Sequence, residues 1–316
     1  EIREVMVFLQ GHGVSSAYAT KIYKQYGDRS ISVVRENPYR LATDIFGIGF
    51  VTADKIARNL GFSKDSLVRS EAGVLYMLNK MADDGHVFYP LEMLIEKCSE
   101  VLEVEREILA KAIFSLSESK KIVLEDLSRD FGNTTEVNKA VYLSHFYLCE
   151  TQIARRLKRL VATPKSIRSV DSGKALEWVQ DKLSIRMAKN QANAIKCALE
   201  NKVMILTGGP GTGKTTIIKA ILKIFDVMGV RFLLAAPTGR AAKRMSETTE
   251  HPAKTLHRLL EFSFQHGGFQ KNEEKPLDCD ALIVDEASMI DTVLMHHLVK
   301  AIPPSAAFIL VGDVNQ

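Results

Sequence analysis

The sequence lacks several features that would place it in a specialised class of protein. Its 316 residues include only four cysteines, which lie far apart without a C-x-x-C pair, so neither a disulfide framework nor a zinc site is indicated. No apolar run approaches the roughly 20 residues that cross a bilayer, and the chain does not open on a signal peptide. We therefore expect a cytoplasmic protein with reduced thiols and no membrane partner.

Neither sign of charge dominates the composition. The chain has 42 basic and 38 acidic residues, which gives a net charge of +4. Hydrophobic residues at 46% and charged residues at 25% are typical of soluble globular proteins and argue against the disordered, collagen-like and low-complexity classes. The length predicts two or three domains of about 100 to 200 residues. The slight excess of positive charge is compatible with a nucleic-acid partner but does not by itself indicate one.

A repeat lies near the start of the chain. Residues 13–22 align with residues 47–56, an offset of 34 residues, and a glycine that can end a helix, Gly27 or Gly61, follows each copy. The period equals that of the tetratricopeptide repeat, but two copies without its aromatic and small-residue pattern do not build a solenoid. Each copy instead predicts a turn followed by a helix that ends at a glycine.

The second copy, with Gly47 and Gly49 in its turn, resembles the helix-hairpin-helix motif. In that motif a glycine turn and the following helix N-terminus point backbone N–H groups at a DNA phosphate. The first copy has Gly13 but carries Ser15 in place of the second glycine, which weakens the expected phosphate contact more than the fold. We predict DNA contacts at Gly13, Gly47 and Gly49. The alternative is a pair of hairpins that only pack together.

Residues 66–150 are dominated by apolar residues at helical spacing. Short runs typical of strands interrupt them at 87–89, 122–124 and 140–143. Three helices with a small β-wing would satisfy this order, so we predict a winged-helix-like domain, with an irregular helical spacer as the alternative. Residues 151–182 are interpreted as a basic linker helix. Its basic part, 151–162, is expected to end at Thr163 and Pro164, and its cations either lie on a solvated face or contact phosphate.

The pattern changes near residue 183, where strands begin to alternate with helices. This alternation predicts a parallel sheet with crossover helices. The apolar strand 203–207 leads into the complete phosphate-loop pattern G-x-x-x-x-G-K-T, and the helical run 217–225 follows. Lys214 is expected to neutralise phosphate charge, and Thr215 to bind Mg²⁺ through its hydroxyl. The residues predicted to bind ATP here are Gly208, Gly209, Pro210, Gly211, Thr212, Gly213, Lys214, Thr215 and Thr216.

Acidic and polar residues follow two later strands. The buried-strand run 281–284 ends at Asp285 and Glu286, and a further strand, 307–311, leads to Asp313 and Gln316. Because ligands bind at the carboxyl ends of parallel strands, we expect these residues beside the phosphate loop. Asp285 is predicted to hold Mg²⁺ through water, Glu286 to act as general base, and Gln316 to contact phosphate, water or that base. The predicted catalytic residues are Lys214, Asp285, Glu286 and Gln316.

Two segments between these strands place hydroxyls and cations at loop or helix starts. One follows the predicted strand 231–235, and the other begins at Thr255. Helix N-termini with threonine suit DNA phosphate, although the cations there would also be stable in solvent. The residues predicted to contact DNA in these segments are Pro237, Thr238, Gly239, Arg240, Thr255, His257 and Arg258.

This series of motifs resembles the superfamily 1 helicases, and more closely the RecD-like DNA helicases. The resemblance covers nearly the whole chain and implies that Gln191, ahead of the phosphate loop, reads adenine. The two hairpins look like the long RecD branch that acts without RecB and RecC. The segments that match family motifs are 208–215 for motif I, 236–242 for motif Ia, 255–260 for the next DNA-binding motif, 285–288 for motif II and 312–316 for motif III.

The segment 262–269 has aromatic residues on both sides of a glycine turn. This pattern predicts a β-hairpin, and the resemblance implies that it is the pin that splits the duplex; an ordinary packing hairpin is the alternative. The resemblance further implies movement from 5′ to 3′ on single-stranded DNA and the binding of single-strand/duplex junctions. A single-stranded-DNA-binding protein is a candidate partner, while RecB and RecC are not expected.

We thus predict a multidomain chain, mainly α-helical in its N-terminal region and α/β in a RecA-like motor domain. The predicted divisions are 1–65 for tandem helix-hairpin-helix motifs, 66–150 for the winged-helix-like domain, 151–182 for the linker helix, and 183–316 for the motor domain with the pin inserted near 261–278. The family's second motor domain, with its late arginine, has no counterpart before residue 316. We therefore expect a fragment with poor ATPase activity alone.

Two other functions would fit parts of this pattern. The first is a non-enzymatic DNA-binding module in which the nucleotide fold is regulatory. The second is an ATPase of another type, such as a clamp loader or a DNA-repair switch. The motif Ia segment, the segment around His257, and Gln316 favour a helicase, because the other ATPases do not need all three.

Overall fold

The computed structural model describes residues 2–127 and 139–313. The chain divides into two compact units, residues 1–147 and residues 148–316. The division falls within a helix, Ser144–Ala162, which we number α9 below. Within the described ranges, no helix is both long and apolar enough to cross a membrane.

The first five helices carry the repeated turn-and-helix pattern. They are α1 (Ile2–Gly11), α2 (Ser16–Tyr26), α3 (Ser30–Glu36), α4 (Arg40–Asp44) and α5 (Phe50–Asn59). A short turn joins α1 to α2 and another joins α4 to α5, so both copies of the repeat form a helical hairpin. Leu9, Ile22 and Leu41 are fully buried between these helices. The helical N-terminal part of the predicted fold is confirmed.

The rest of the first unit has three helices and three short strands. They follow in the order α6 (Leu67–Asp83), β1 (Phe88–Pro90), α7 (Leu91–Leu102), α8 (Arg106–Glu118), β2 (Ile122–Asp126) and β3 (Lys139–Leu143). The strand β3 lies between β1 and β2 and pairs antiparallel with both. Three helices with a small antiparallel sheet in this order form the predicted winged-helix-like arrangement. Residues 128–138, between β2 and β3, lie outside the described residues.

The predicted boundary at residue 65 does not separate two cores. Tyr39, Phe50 and Ala53 belong to the hairpin segment, yet they pack in one cluster with Val74 and Leu78 of α6. Phe50 also stacks on Tyr39 and on the half-buried Tyr76. The apolar face of α5 is therefore shared between the hairpins and the winged-helix-like part, and this sharing joins them into one unit.

A buried ionic cluster joins α5 to α6 and α7. The side chain of Arg69 is 4% exposed, and its Nε donates to Asp54 Oδ1 at 2.8 Å. Tyr39 donates to the same oxygen at 2.8 Å, and Arg58 donates to Asp54 Oδ2 at 2.9 Å. Arg69 Nη1 also donates to the carbonyl of Leu102, at 3.0 Å. Burial raises the pKa of Asp54, but the hydrogen bonds from Arg69 and Tyr39 outweigh it and lower that pKa below its ordinary value.

The second unit is an α/β domain around a parallel sheet. Its elements after α9 are α10 (Ser172–Leu183), α11 (Lys189–Glu200), β4 (Val203–Thr207), α12 (Lys214–Met228), β5 (Phe232–Ala236), α13 (Gly239–Thr249), β6 (Ala253–Thr255), α14 (Leu256–Leu259), β7 (Phe262–Ser263), β8 (Gly268–Phe269), β9 (Ala281–Val284), α15 (Thr292–Ala301) and β10 (Ala307–Gly312). Five strands pair in parallel in the order β4-β10-β9-β5-β6. One face packs on α10, α11 and α12, and the other on α9 and α15. The predicted RecA-like class is confirmed.

Residues 151–182 are not a single linker helix. They form the later part of α9, an irregular segment and most of α10. Leu160 of α9 and Val179 of α10 are buried in the second unit. Of the basic residues in this run, Arg155, Lys158 and Arg159 are exposed, whereas Arg156 is half-buried and pairs with Glu273. The apolar side of α9 covers the sheet.

The parallel register brings the carboxyl ends of the central strands to one edge of the sheet. Gly312 of β10 lies opposite Thr207 of β4, and Val284 of β9 lies opposite both Leu310 of β10 and Ala235 of β5. The phosphate loop, the Asp285–Glu286 pair and the segment after β5 therefore leave the sheet side by side.

Candidate nucleotide and nucleic-acid sites

The phosphate loop is a tight turn between β4 and α12. Gly211 and Gly213 have φ angles of +75° and +85°, a region that side chains rarely adopt. A Cβ at Gly213 would lie 2.3 Å from Gln191 Nε2, so a side chain there would displace the amide of Gln191. The Thr212 hydroxyl donates to the carbonyl of Gly209 at 2.9 Å and braces the turn. The loop thus has the conformation that the sequence pattern predicts.

Lys214 begins α12 and turns its ammonium group back into the loop. Its Nζ donates to the carbonyl of Gly208 and, at 2.9 Å, to that of Gly209. The charge therefore lies inside the curve of the loop, where phosphate oxygens would bind. Thr215 is exposed at the next position and Thr216 is half-buried.

Gln191 connects the start of α11 to the phosphate loop. Its Oε1 accepts from the backbone N–H of Ala188 at 3.1 Å, and its Nε2 donates to the carbonyl of Thr212 at 3.1 Å. One side chain thus caps a helix and contacts the loop. This places Gln191 beside the nucleotide site, as the family resemblance implies.

The acidic pair lies at the carboxyl end of β9. The Asp285 backbone N–H donates to the carbonyl of Ala235 at 2.9 Å, which fixes the pair to the end of β5. The Asp285 carboxylate is 14% exposed, and burial raises its pKa above the ordinary range, with the neighbouring Glu286 as a smaller contributor. Lys214 and Arg244 oppose this rise, so the carboxyl group and the loop cation share one electrostatic environment.

Arg244 was not among the residues predicted from sequence. It lies on α13, and its Nη2 is 2.6 Å from Glu286 Oε1 and 3.9 Å from Asp285 Oδ2. Arg244 follows Arg240 by one helical turn, so the two side chains share a helix face. That spacing is visible in the sequence, but the approach of α13 to β9 depends on the strand order.

The motif III strand approaches the same edge. A Cβ added to Gly312 would lie 3.3 Å from the Ser288 backbone nitrogen, so β10 passes close to the turn after Glu286. Asp313 is 4% exposed at the end of that strand. Gln316, a predicted catalytic residue, lies outside the described residues.

The two threonines predicted to face DNA both cap helices. Thr238 accepts from the Ala241 backbone N–H at 3.2 Å at the start of α13, and Thr255 accepts from the Arg258 backbone N–H at 3.3 Å at the start of α14. The other candidates in these segments differ in burial. Gly239, Arg240, His257 and Arg258 are exposed, and Pro237 is half-buried.

A cleft of about 530 Å³ joins the motif Ia segment to the acidic pair. Its walls include Thr238, Arg240, Lys243, Arg244 and Glu286. Cations of α13 thus line the cleft together with Glu286, the carboxylate predicted to be the general base.

The predicted hairpin after α14 is present. Phe262 of β7 pairs with Phe269 of β8, and their rings are 4.9 Å apart. His257 contacts both rings at the base of the hairpin. Phe264 is 90% exposed near the tip. The hairpin thus has a packed base and an exposed aromatic residue.

Each turn of the N-terminal hairpins contains a glycine in the left-handed region. The φ angles are +79° at Gly13 and +92° at Gly47. In the first hairpin the Ser15 hydroxyl caps α2 by accepting from the Tyr18 backbone N–H at 3.4 Å. In the second, Gly49 occupies the capping position of α5, and no heavy atom lies within 4 Å of where its Cβ would be. Close approach of a ligand to the backbone is therefore unobstructed at Gly49.

Each hairpin copy also supports the turn of the other. The Asn59 side chain at the end of α5 donates to the His12 carbonyl at 2.8 Å. In return Tyr18 and Lys21 of α2 each donate at 3.1 Å to carbonyls of the second turn, those of Gly47 and Phe46 respectively.

Comparison with known proteins places these sites in a family. The family model described as the ATP-dependent RecD2 DNA helicase HHH domain matches residues 1–88, and the model described as AAA domain matches residues 191–316. The chain is 32% identical to the ATP-dependent RecD2 DNA helicase of Deinococcus radiodurans over 99% of this chain and 43% of that protein. Over nearly its whole length the chain is similar to the RecD-like helicases.

RecBCD enzyme subunits are also similar to this RecD-like chain. It is 27% identical to the RecD subunit of Buchnera aphidicola subsp. Schizaphis graminum over 74% of this chain and 43% of that protein. It is 35% identical to the RecD subunit of Haemophilus influenzae over 40% of this chain and 23% of that protein. The chain therefore spans less than half the length of these curated relatives. The family match over residues 1–88 confirms the predicted resemblance of the hairpins to the RecD2 type.

Proposed function

We propose that the protein containing this RecD-like chain is an ATP-dependent DNA helicase that acts in DNA repair or recombination. The observation that supports this most directly is the arrangement at one sheet edge. Lys214 lies in a complete phosphate loop, and Asp285 and Glu286 lie beside it at the end of β9. The cleft that adjoins Glu286 carries the cations of the motif Ia helix.

The residues present fit ATP and Mg²⁺. Lys214 would offset the charge of the β- and γ-phosphates. The Thr215 hydroxyl and the Asp285 carboxylate are the oxygen ligands that would hold Mg²⁺, which supplies charge neutralisation at the phosphates. Glu286 would accept a proton from the attacking water. Gln191, through its contact with the loop, is suited to bind the adenine.

DNA is the second substrate in this proposal. Backbone groups at Gly13, Gly47 and Gly49 would hold phosphates, as would the segments at 237–240 and 255–258. The hairpin with the exposed Phe264 would separate the strands of a duplex. Movement is from 5′ to 3′, and the preferred substrate is single-stranded DNA next to a duplex. A single-stranded-DNA-binding protein is a candidate partner, and RecB and RecC are not required.

Stimulation of ATP hydrolysis by DNA tests this proposal. Turnover by the full-length protein is measured with and without a single-stranded oligonucleotide, and the expected result is a large increase with DNA. Lys214→Ala should abolish turnover in both conditions while DNA affinity stays within about twofold, because the ammonium group binds only nucleotide phosphates. If the rate of ATP hydrolysis were the same with and without DNA, the alternative of a DNA-binding module with a regulatory nucleotide fold would be favoured. Wild-type turnover by Lys214→Ala would contradict the assignment of the phosphate loop.

A further inference from the structure

Arg244 holds the carboxylate that is assigned as the general base. The distance from its Nη2 to Glu286 Oε1 is 2.6 Å. The Glu286 side chain is 19% exposed, whereas that of Arg244 is 62% exposed. The carboxylate is thus enclosed, while the guanidinium that binds it remains open to solvent on its other side. A second anion can reach Arg244 without displacing any packed residue.

The position of Arg244 on α13 determines which anion that would be. The helix begins in the motif Ia segment, and Arg240, Lys243 and Arg244 line the same cleft as Glu286. An arginine binds a phosphate through two parallel hydrogen bonds, which makes phosphate a strong competitor of a single carboxylate oxygen. A DNA strand bound along these cations would bring a phosphate to Arg244. Binding of that phosphate and binding of Glu286 would then compete for one side chain.

We propose that Arg244 is a positioning residue that links DNA binding to ATP hydrolysis. Without DNA it restrains Glu286 through the ion pair. When a DNA phosphate binds the Arg244 guanidinium, the Glu286 carboxylate is released. It can then accept the proton of the water that attacks ATP at the phosphate loop. This inference rests on the proposed function, because it takes Glu286 as the base and the cleft as part of the DNA path. It adds a specific contact through which DNA stimulates hydrolysis.

The test compares Arg244→Gln with a matched arginine. Arg231 is 61% exposed and also pairs with two carboxylates, Asp278 and Asp280, but it precedes β5 at the amino-terminal edge of the sheet. In the full-length protein, Arg244→Gln should raise turnover without DNA roughly two- to fivefold, as expected for the removal of one partly exposed ion pair. Turnover at saturating DNA should change little, so the stimulation ratio falls. Arg231→Gln should leave both rates and their ratio as in the wild type.

Two further measurements separate this role from a structural one. The KM for ATP should be unchanged in Arg244→Gln, because the phosphate loop is untouched. Arg244→Lys should keep part of the stimulation, since an ammonium can still exchange between the carboxylate and a phosphate. Inorganic phosphate, at the same phosphate concentration as the oligonucleotide, should not reproduce the effect of DNA, because a free anion is not held against α13 by the neighbouring cations.

Four results would overturn the inference. An unchanged stimulation ratio in Arg244→Gln would show that the ion pair does not restrain the base. A fall in turnover by the same factor with and without DNA would show that Arg244 supports Glu286 in both states. If Arg231→Gln changed both rates as Arg244→Gln does, the effect would be a general consequence of removing a positive charge. If inorganic phosphate activated hydrolysis as DNA does, release of Glu286 would not depend on DNA. A wild-type protein without DNA-stimulated turnover would instead contradict the proposed function itself.

Discussion

The acidic pair after β9 combines two carboxylates in different surroundings. Burial raises the pKa of Asp285, while Glu286 is bound by Arg244. A carboxyl group must be deprotonated to hold a metal ion. Because the pKa of Asp285 is raised, Mg²⁺ binding should weaken at a higher pH than it would with an aspartate of ordinary pKa. The expected acid limb of the ATP turnover profile therefore lies above the usual range of aspartate, and added Mg²⁺ should move it to lower pH.

Glu286→Gln is expected to separate nucleotide binding from hydrolysis. The amide keeps the shape of the side chain but cannot take a proton, so turnover should fall by about 10²- to 10⁴-fold. Binding of ATP with Mg²⁺, followed by a fluorescent nucleotide, should remain within a few-fold of the wild type. A variant that loses nucleotide affinity but turns over its bound ATP at the normal rate would show that Glu286 is not the base.

The buried pair of Arg69 and Asp54 should contribute strongly to the stability of the first unit. Arg69→Met leaves the buried carboxylate of Asp54 with only Tyr39 and the partly exposed Arg58 as partners. The free energy of unfolding should fall by about 3 kcal/mol, the lower end of the range for breaking a buried ion pair. The exposed pair of Arg106 and Glu92 is the control, since Arg106→Met should cost under about 1 kcal/mol. Trp178, the one tryptophan of the chain, lies in the second unit. Its fluorescence in urea should be unchanged by Arg69→Met, whereas the helical circular dichroism signal should show an earlier transition.

The same pair predicts how stability depends on pH. The pKa of Asp54 is lower in the folded protein than its ordinary value. A carboxyl group whose pKa is lower in the folded state than in the unfolded state stabilises the fold at pH values above its unfolded-state pKa. This stabilisation is lost as the pH falls through its folded-state pKa. The first unit should therefore lose stability below about pH 4, and Asp54→Asn, though less stable at neutral pH, should lose less over that interval. An equal acid dependence in the variant would assign the loss to other carboxyl groups.

At the residue scale, the sequence predicts contacts that are local along the chain. The phosphate loop could be recognised because its glycines and Lys214 are consecutive. Arg244 could not, since its contact with Glu286 joins residues 42 positions apart through the pairing of β5 with β9. The same limit applies to Asp54 and Arg69, which are ordinary polar residues in sequence and become partners only when α5 packs on α6.

At the scale of single elements, the two glycines of the second hairpin turn have different roles. Gly47 has a φ angle of +92°, so any side chain there is strained. Gly49 has an extended conformation with φ −94° and ψ 175°, and its Cβ position is open. The fold therefore does not require glycine at position 49. Close approach of a DNA phosphate to the backbone is a functional reason for a glycine there.

Gly49→Val is accordingly expected to weaken DNA binding without unfolding the hairpin. A side chain at this position would keep a phosphate from the backbone N–H groups at the start of α5. Affinity for a fluorescent oligonucleotide should fall several-fold, while the urea midpoint shifts little. Gly11→Ala, at a solvent-open position of α1, is the control and should leave both unchanged. Unchanged DNA affinity in a folded Gly49→Val protein would make the hairpins packing elements.

Element positions were predictable where the chain alternates clearly between patterns. The strand before motif Ia was expected at 231–235 and is found at Phe232–Ala236. The shift arises because Arg231 bonds to Asp280 through its backbone N–H and its side chain, which places it before the ladder. The charged run at 155–159 lies wholly within α9 and carries no information about α10, the second helix within 151–182.

At the scale of the whole molecule, the shared core decides where the chain can be divided. Removing residues 1–65 would expose the apolar partners of Phe50 and Ala53 in the first unit. We therefore expect that deletion to leave a protein that aggregates. The division between residues 147 and 148 follows the two units instead.

A chain of residues 148–316 should therefore keep nucleotide binding that depends on Lys214, although it can no longer bind DNA through the hairpins. Its affinity for single-stranded DNA should depend less on salt than that of the intact chain, by a log-log slope of about 0.7 for each phosphate that the hairpins would have bound. Titrations of a fluorescent oligonucleotide at several salt concentrations measure this difference. Equal slopes for the two folded proteins would assign DNA binding to the second unit alone.

The reciprocal bonds between the hairpins have a consequence for sequence change over time. Asn59 supports the turn at Gly13, and Tyr18 supports the turn at Gly47. A substitution at Asn59 or Tyr18 in one copy is thus felt in the turn of the other. Because a Cβ at position 13 would lie 2.5 Å from Asn59 Nδ2, positions 13 and 59 should covary among relatives of this chain.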